Sequence, residues 1–205
     1  NGTDRLASRD YTESIVTEIV NDIRIAYEPN WTRRAMWDKG YYEAKVPEVP
    51  SMLLELLSHQ NFADMKYGLD PTFRFTVSRA IYKGMLKYLA NRYGQSYVVQ
   101  PLPVEEVSAS FLADSLSQDL SKVTLSWNRT DDQIEPTAVA EGYILQTKID
   151  DGAFDNGKVI KAVSEDGRYV YETSIKPGEI YSYRIAAFND GGKSFPSEVV
   201  SIGTP

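Results

Sequence analysis

The sequence predicts two fold classes in one chain: a partial α/β domain over residues 1–98 and an all-β sandwich over residues 104–205. In the first part, apolar residues recur with helical spacing on both sides of two short strand candidates, an order typical of α/β layers. In the second part the apolar period changes to two, and turn residues punctuate it at regular intervals. Pro101-Leu102-Pro103 predicts a stiff linker over residues 99–103.

Two long amphipathic helices are predicted in the first part. The first covers residues 10–27. The second has Asp70 as its N-cap and Pro71 in its first turn, and it ends at about Tyr93. Each helix has one apolar face that a neighbouring element must cover. The apolar positions are Tyr11, Ile15, Ile19 and Ile23 in the first helix, and Phe73, Val77, Ile81, Met85, Tyr88 and Leu89 in the second.

Residues 41–46 and 51–57 are the two strand candidates between these helices. The second is a nearly continuous apolar run, which is typical of a strand covered on both faces. A charge inside such a run is costly unless it has a role or a partner, so Glu55 is the candidate functional residue. Two strands and two helices cannot bury a sheet with two apolar faces. We therefore expect an N-terminal half of this domain to lie outside the chain.

Seven strands are predicted in the second part, the number typical of an immunoglobulin-like sandwich. Turn sequences separate them, for example Asp150-Asp151-Gly152 and Asn189-Asp190-Gly191-Gly192. The predicted strands lie at residues 104–110, 122–127, 143–147, 158–162, 169–175, 181–187 and 198–202.

Composition excludes several classes of function. The net charge is −7 and no run of Lys and Arg could follow a phosphate backbone, so nucleic acid is not the expected partner. The absence of Cys excludes disulfides and thiolate sites. No stretch approaches the roughly 20 apolar residues of a membrane span. The chain begins Asn1-Gly2-Thr3-Asp4 without Met or a signal peptide, as expected of a mature or trimmed fragment.

The second part resembles a fibronectin type III domain over residues 104–204. The resemblance rests on Trp127 in the second strand and on Ile175-Lys176-Pro177-Gly178-Glu179-Ile180-Tyr181. It implies structural roles for Trp127, in the core, and for Tyr181, as a tyrosine corner whose hydroxyl bonds upstream backbone. Such a domain is usually a spacer or an interaction module.

The first part resembles the C-terminal portion of a zinc-dependent N-acetylmuramoyl-L-alanine amidase over residues 3–93. The resemblance rests on Arg5-Leu6-Ala7, on Val49-Pro50-Ser51-Met52-Leu53-Leu54-Glu55-Leu56-Leu57-Ser58, on Asn61 and on the closing helix. Where the family has Gly-Phe after its glutamate, this chain has Leu56-Leu57. The chain also resembles the C-terminal part of large exported proteins of Bacteroides-type bacteria, some of them labelled xanthan lyase.

The amidase resemblance implies that Glu55 is the catalytic acid–base group, working beside zinc held by two His and a Glu. Those ligands lie upstream of this segment in the family, so no metal ligand is assigned in this chain. We expect zinc in the intact domain, and we expect no zinc to be bound to this chain. The single histidine, His59, is a candidate for substrate contact, with a loop position at the rim of the sheet as the alternative.

Three functional hypotheses follow. In the first, the chain is part of an exported cell-wall amidase that cleaves between N-acetylmuramic acid and L-alanine, and is inactive alone. In the second, it is a non-catalytic envelope module with a degenerate amidase-like scaffold that binds glycan or a protein. In the third, both parts are accessory to a carbohydrate-degrading domain elsewhere. For the chain as a whole we expect a secreted or periplasmic protein, with peptidoglycan or another cell-envelope glycan as its partner. Four aromatic residues leave two readings open, either a sugar- or peptide-stacking surface or core or interface packing: Trp31, Trp37, Tyr41 and Tyr42.

Overall fold

The structure is a computed structural model that describes residues 5–112 and 121–204. The chain divides between Tyr97 and Val98 into two compact units. We call the first the helical unit and the second the sandwich unit. Within the described ranges, no helix is both long and apolar enough to cross a lipid bilayer.

Four helices form the described part of the helical unit: α1 (Arg5–Ala26), α2 (Tyr42–Lys45), α3 (Phe62–Gly68) and α4 (Pro71–Tyr93). The ends of α4 follow from local chemistry. The Asp70 carboxylate accepts a hydrogen bond from the Thr72 amide at 2.8 Å, and Gly94 ends the helix in the left-handed conformation. The start of α3 is capped in the same way, because the Asn61 side chain accepts from the Ala63 amide.

The two long helices pack against each other in antiparallel order. Tyr11 contacts Tyr88 with ring centroids 5.2 Å apart, and Tyr27 contacts Phe73 at 5.1 Å near the other end. Between these contacts, Ser14 Oγ donates a hydrogen bond to the Gly84 carbonyl at 2.8 Å. The buried core of this unit is formed by Ile15, Ile19, Ile23, Phe73, Val77 and Ala80.

The prediction of strands at residues 41–46 and 51–57 is wrong. Residues 42–45 form the single turn of α2, and residues 51–58 are extended but belong to no strand. A strand requires a neighbour to complete its backbone hydrogen bonds, and the described part of the helical unit contains none. The described residues of this unit therefore form helices and one extended segment instead of the partial α/β layer that the sequence predicts.

Gly84 lies at a close approach between the backbones of α1 and α4. A Cβ atom on Gly84 would lie 2.5 Å from the Ile15 Cα atom, so the helices would have to move apart. We expect Gly84→Ala to destabilise the helical unit by about 1–3 kcal/mol, outweighing alanine's better helix propensity. Hydrogen exchange of the α1 and α4 amides measures this. Gly40→Ala is the control, because its Cβ meets nothing within 4 Å. A stabilised Gly84→Ala variant would contradict the close approach.

The described part of the sandwich unit contains nine strands in two antiparallel sheets. One sheet has the order β1-β2-β6-β5, and the other has the order β4-β3-β7-β8 with β9 also paired to β7. The all-β prediction is confirmed, and each predicted strand position overlaps an observed strand. The strands are β1 (Glu105–Phe111), β2 (Ser121–Asn128), β3 (Gly142–Ile149), β4 (Lys158–Ile160), β5 (Val163–Glu165), β6 (Arg168–Ile175), β7 (Ile180–Asn189), β8 (Gly192–Lys193) and β9 (Val200–Gly203).

The core of the sandwich lies between the two sheets. On β2, Val123, Leu125 and Trp127 are fully buried, as the period of two predicts. The Trp127 ring meets Tyr143 from the opposite sheet edge-on, with centroids 5.1 Å apart. The two inner faces thus interlock through large side chains, as in other aligned sandwiches.

The segment predicted as a linker, residues 99–103, packs into the sandwich unit. Val99 is fully buried, and its amide donates to Thr137 Oγ1 at 3.1 Å. Its carbonyl accepts a hydrogen bond from the Asn189 side chain at 2.9 Å. The prolines that suggest a stiff spacer therefore belong to a segment held by hydrogen bonds to the sandwich.

Candidate functional site

The extended segment, residues 51–58, crosses the helical core and is anchored at both ends. The Ser51 hydroxyl donates to the Ala44 carbonyl at 3.1 Å, and the Ser51 amide donates to Ser8 Oγ at 3.3 Å. At the other end, the Ser58 amide donates to Asp64 Oδ2 at 2.8 Å. From Met52 to Leu56 the side chains alternate, because Met52, Leu54 and Leu56 pack on the helical core, whereas Leu53 and Glu55 are exposed. Leu57 interrupts the alternation, since it packs on the core as well.

Glu55 lies on the outer face of this segment, and the buried environment that the sequence predicts for it is wrong. The sequence predicts a carboxylate inside a strand covered on both faces, and the structure instead leaves Glu55 exposed to solvent. Its charge therefore needs no buried partner. The segment covers one face only, because the helices lie on that side and no described strand lies on the other.

His59 lies at the edge of an open groove of about 450 Å³ between the end of the extended segment, α3 and the first half of α4. Arg74 and Ser78, on the exposed side of α4, line the same groove. We call this the basic groove. Its apolar lining consists of Leu56, Leu57, Met65, Gly68, Phe73 and Val77.

Arg74 is the residue that sequence reasoning missed. A signal was present, because Arg74 directly follows Phe73 and precedes Val77 by three positions, so it borders the apolar face of α4. What the sequence lacks is the fold of residues 56–59 beside that face. His59 and Arg74 are thus brought to one groove, whereas Glu55 is not part of its lining.

A second groove, of about 330 Å³, lies at the start of the extended segment, and we call it the apolar groove. No charged residue lines it. The lining residues are Tyr11, Ile15, Pro50, Ser51, Met52, Leu54, Ile81 and Met85.

The aromatic residues singled out in the sequence fall into two groups. Trp31 belongs to the helical core, with its ring 5.4 Å from Tyr67. Trp37, Tyr41 and Tyr42 are exposed. Packing is therefore the role of Trp31, and the other three remain available to a ligand.

Trp127 and Tyr181, the residues given structural roles, are both buried in the sandwich unit. The Tyr181 hydroxyl donates to Glu179 Oε2 at 2.6 Å. Burial raises the pKa of Tyr181, the hydrogen bond to Glu179 adds to this, and a backbone hydrogen bond with Lys176 acts in the opposite direction. The role of Tyr181 as a tyrosine corner stays a prediction.

Comparison with known proteins finds relatives by structure only. No family model matches the sequence, and no curated protein is significantly similar to it. The twitchin kinase region from C. elegans is 20% identical over 52% of this chain and 17% of that one, with a TM-score of 0.34. Titin kinase with its flanking domains is 21% identical over 52% of this chain and 18% of that one, with a TM-score of 0.36. The chicken CNTN1 FN1–FN3 domains are 19% identical over 54% of this chain and 34% of that one, with a TM-score of 0.39.

The chain thus spans only about a sixth to a third of the length of these proteins. The strand order of the sandwich unit, with β1-β2-β6 in one sheet and β4-β3-β7-β9 connected in the other, is that of a fibronectin type III/immunoglobulin-like sandwich.

Proposed function

We propose that this chain is a non-catalytic binding module of the cell envelope, in which an amidase-like helical unit binds peptidoglycan or another envelope glycan. The observation that carries the proposal is the exposure of three aromatic side chains within residues 37–42. Trp37, Tyr41 and Tyr42 are 66%, 47% and 74% exposed. These three side chains lie within six residues of the chain, contiguous exposed apolar patches mark interaction surfaces, and aromatic side chains present an apolar face together with a polar group.

The backbone that carries these aromatic residues is held in place. Arg5 on α1 forms an ion pair with Asp38, beside Trp37. The Ala44 carbonyl accepts the Ser51 hydroxyl, which ties α2 to the extended segment. A binding surface on an anchored backbone loses less conformational entropy when its ligand binds, which supports a recognition role.

The test is sedimentation of the protein with purified peptidoglycan. We expect the variant carrying Trp37→Ala, Tyr41→Ala and Tyr42→Ala to bind at least about tenfold more weakly, because aromatic anchors dominate such interfaces. Phe62→Ala is the matched control, since Phe62 is 86% exposed on α3. Circular dichroism verifies that all variants are folded. Unchanged binding by the triple variant, or an equal loss in the control, contradicts the proposal.

A second candidate is the amidase activity that the sequence resemblance implies, with Glu55 as the proton-transferring group. In its favour, Glu55 is presented to solvent on a segment anchored at both ends, and a general acid or base needs access to its substrate. Residues 5–112 and 121–204 contain no group of three or more His, Cys, Asp or Glu that could hold a metal ion. The described residues therefore do not fit the zinc site of that family.

The two candidates predict different results for release of stem peptides from peptidoglycan. Under the binding proposal, neither this chain nor a longer form that includes upstream residues releases any, with or without added zinc. Under the amidase candidate, this chain alone is inactive, whereas a longer form that supplies the zinc ligands releases stem peptides that mass spectrometry detects, and this release falls by about 100-fold or more in Glu55→Gln. Glu43→Gln, which alters another exposed carboxylate, is the control. Release that survives Glu55→Gln contradicts the role of Glu55.

A further inference from the structure

The basic groove has a floor and a rim of different chemistry. Its floor is apolar, formed mainly by Leu56, Leu57, Met65, Phe73 and Val77. Its volume of about 450 Å³ lies within the range of sites for small ligands, about 300–1,000 Å³. A ligand that fills this groove therefore needs an apolar body of a few residues' size.

The rim of the basic groove carries basic side chains and no acidic one. Arg74 and His59 both line it, together with the Ser78 hydroxyl. In the part of the chain that the structure describes, no carboxylate forms an ion pair with Arg74. A guanidinium is a planar donor that matches a carboxylate, so this rim is complementary to an anion.

Glu55 directly precedes the lining residue Leu56 but does not itself line the groove, and two other acidic residues near the groove in sequence have hydrogen-bond partners. Asp64 accepts a hydrogen bond from the Ser58 amide, and Asp70 accepts one from the Thr72 amide. Neither belongs to the lining of the groove. These two carboxylates accept hydrogen bonds from backbone amides beside the groove, and neither forms an ion pair with Arg74.

We propose that the basic groove binds a short apolar peptide by its free C-terminal carboxylate. The apolar side chains lie on the floor, and Arg74, with His59 and Ser78, donates hydrogen bonds to the carboxylate. The inference deepens the proposed binding role and rests on it only for the source of the peptide, which is the peptide part of an envelope polymer.

The groove is preorganised for such a ligand. Phe73, in its floor, is fully buried and packs on Tyr67 with centroids 5.2 Å apart. The chain on the other side is held by the Ser58–Asp64 hydrogen bond, and the Asn61 cap fixes the start of α3. Little ordering is therefore required on binding. The apolar groove has comparable dimensions but no charged residue, so it offers no preference between an acid and an amide.

The probe is a fluorescently labelled Ala-Leu-Leu peptide, used as the free acid and as the C-terminal amide, with binding followed by anisotropy. We expect the acid to bind about tenfold more tightly than the amide, the size of one charge-assisted hydrogen bond. Arg74→Gln is expected to remove this preference, and His59→Gln to reduce it. Lys66→Gln removes the same charge from an exposed position outside the groove and is expected to keep it.

A second variant tests the location of the site. Ser78→Trp places an indole in the groove from the exposed face of α4 and is expected to abolish binding of the acid. Binding that persists in Ser78→Trp, equal affinities for acid and amide, or no binding of either peptide at millimolar concentration overturns the inference.

The inference and the proposed function fail separately. If the peptide acid binds as expected but the protein does not sediment with peptidoglycan, the groove stands and the envelope source is wrong. If the protein sediments with peptidoglycan and Arg74→Gln and Ser78→Trp change nothing in either assay, the envelope role stands and the groove is not the site.

Discussion

Replacing Lys83 with methionine is expected to destabilise the helical unit by about 3–5 kcal/mol, because it breaks a buried ion pair. Lys83 on α4 is 1% exposed and Asp22 on α1 is 3% exposed. Their Nζ and Oδ1 atoms lie 2.8 Å apart. Glu18 lies 3.9 Å from the same ammonium and pairs with Lys87 at 2.7 Å. Hydrogen exchange of the α1 and α4 amides in the full chain measures the loss.

The double variant Asp22→Leu/Lys83→Met separates charge from packing. Removing both partners replaces the buried ion pair with apolar side chains, so we expect the double variant to recover most of the stability. Lys66→Met, at an exposed position, is the control and is expected to change stability by less than about 0.5 kcal/mol. A double variant as unstable as Lys83→Met would show that the ion pair is not the cause.

Trp127→Ala is expected to destabilise the sandwich unit by about 3–5 kcal/mol, the cost of truncating a large buried aromatic side chain. Trp127 is fully buried, and its ring contacts Tyr143 edge-on and stacks on Tyr169 with centroids 6.2 Å apart. The cavity would open at the centre of the core, where both sheets contribute side chains. Hydrogen exchange of the β2, β3 and β6 amides reports this loss without depending on tryptophan fluorescence.

Trp37→Ala is the matched control for this prediction. The same atoms are removed from a side chain that is largely exposed, so the expected change in stability is less than about 0.5 kcal/mol. Equal losses in the two variants would mean that burial of Trp127 does not dominate the stability of the sandwich. Because the chain has two compact units, amide-specific measurement reports the stability of each unit, which a single melting curve does not.

Elements with local causes could be predicted from the sequence. The start of α4 at Pro71 and its end at Tyr93 agree with the prediction, because Asp70, Pro71 and Gly94 act through neighbouring backbone groups. The alternation on β2 likewise predicts which face is buried, because successive side chains of a strand point to opposite faces of the sheet. Trp127 could therefore be placed in the core from sequence alone.

Elements that depend on distant partners could not be predicted in the same way. The apolar run at 51–57 has the composition of a buried strand, yet strand pairing requires a second segment, and none is present among the described residues. The predicted burial of Glu55 is wrong for the same reason, because it assumes a strand covered on both faces. The ion pair of Asp22 and Lys83 joins residues 61 positions apart, and neither is unusual in its own helix.

The sequence by itself determined the two long helices, the caps of α4, the positions of seven strands of the sandwich and the buried face of β2. These follow from hydrogen bonds and side-chain periods that act over a few residues. Only the tertiary structure decided that Arg74 and His59 share a groove, that Glu55 faces solvent and that Lys83 is buried beside Asp22. Each of these depends on which segments pack together, because burial and charge pairing are properties of neighbours in space.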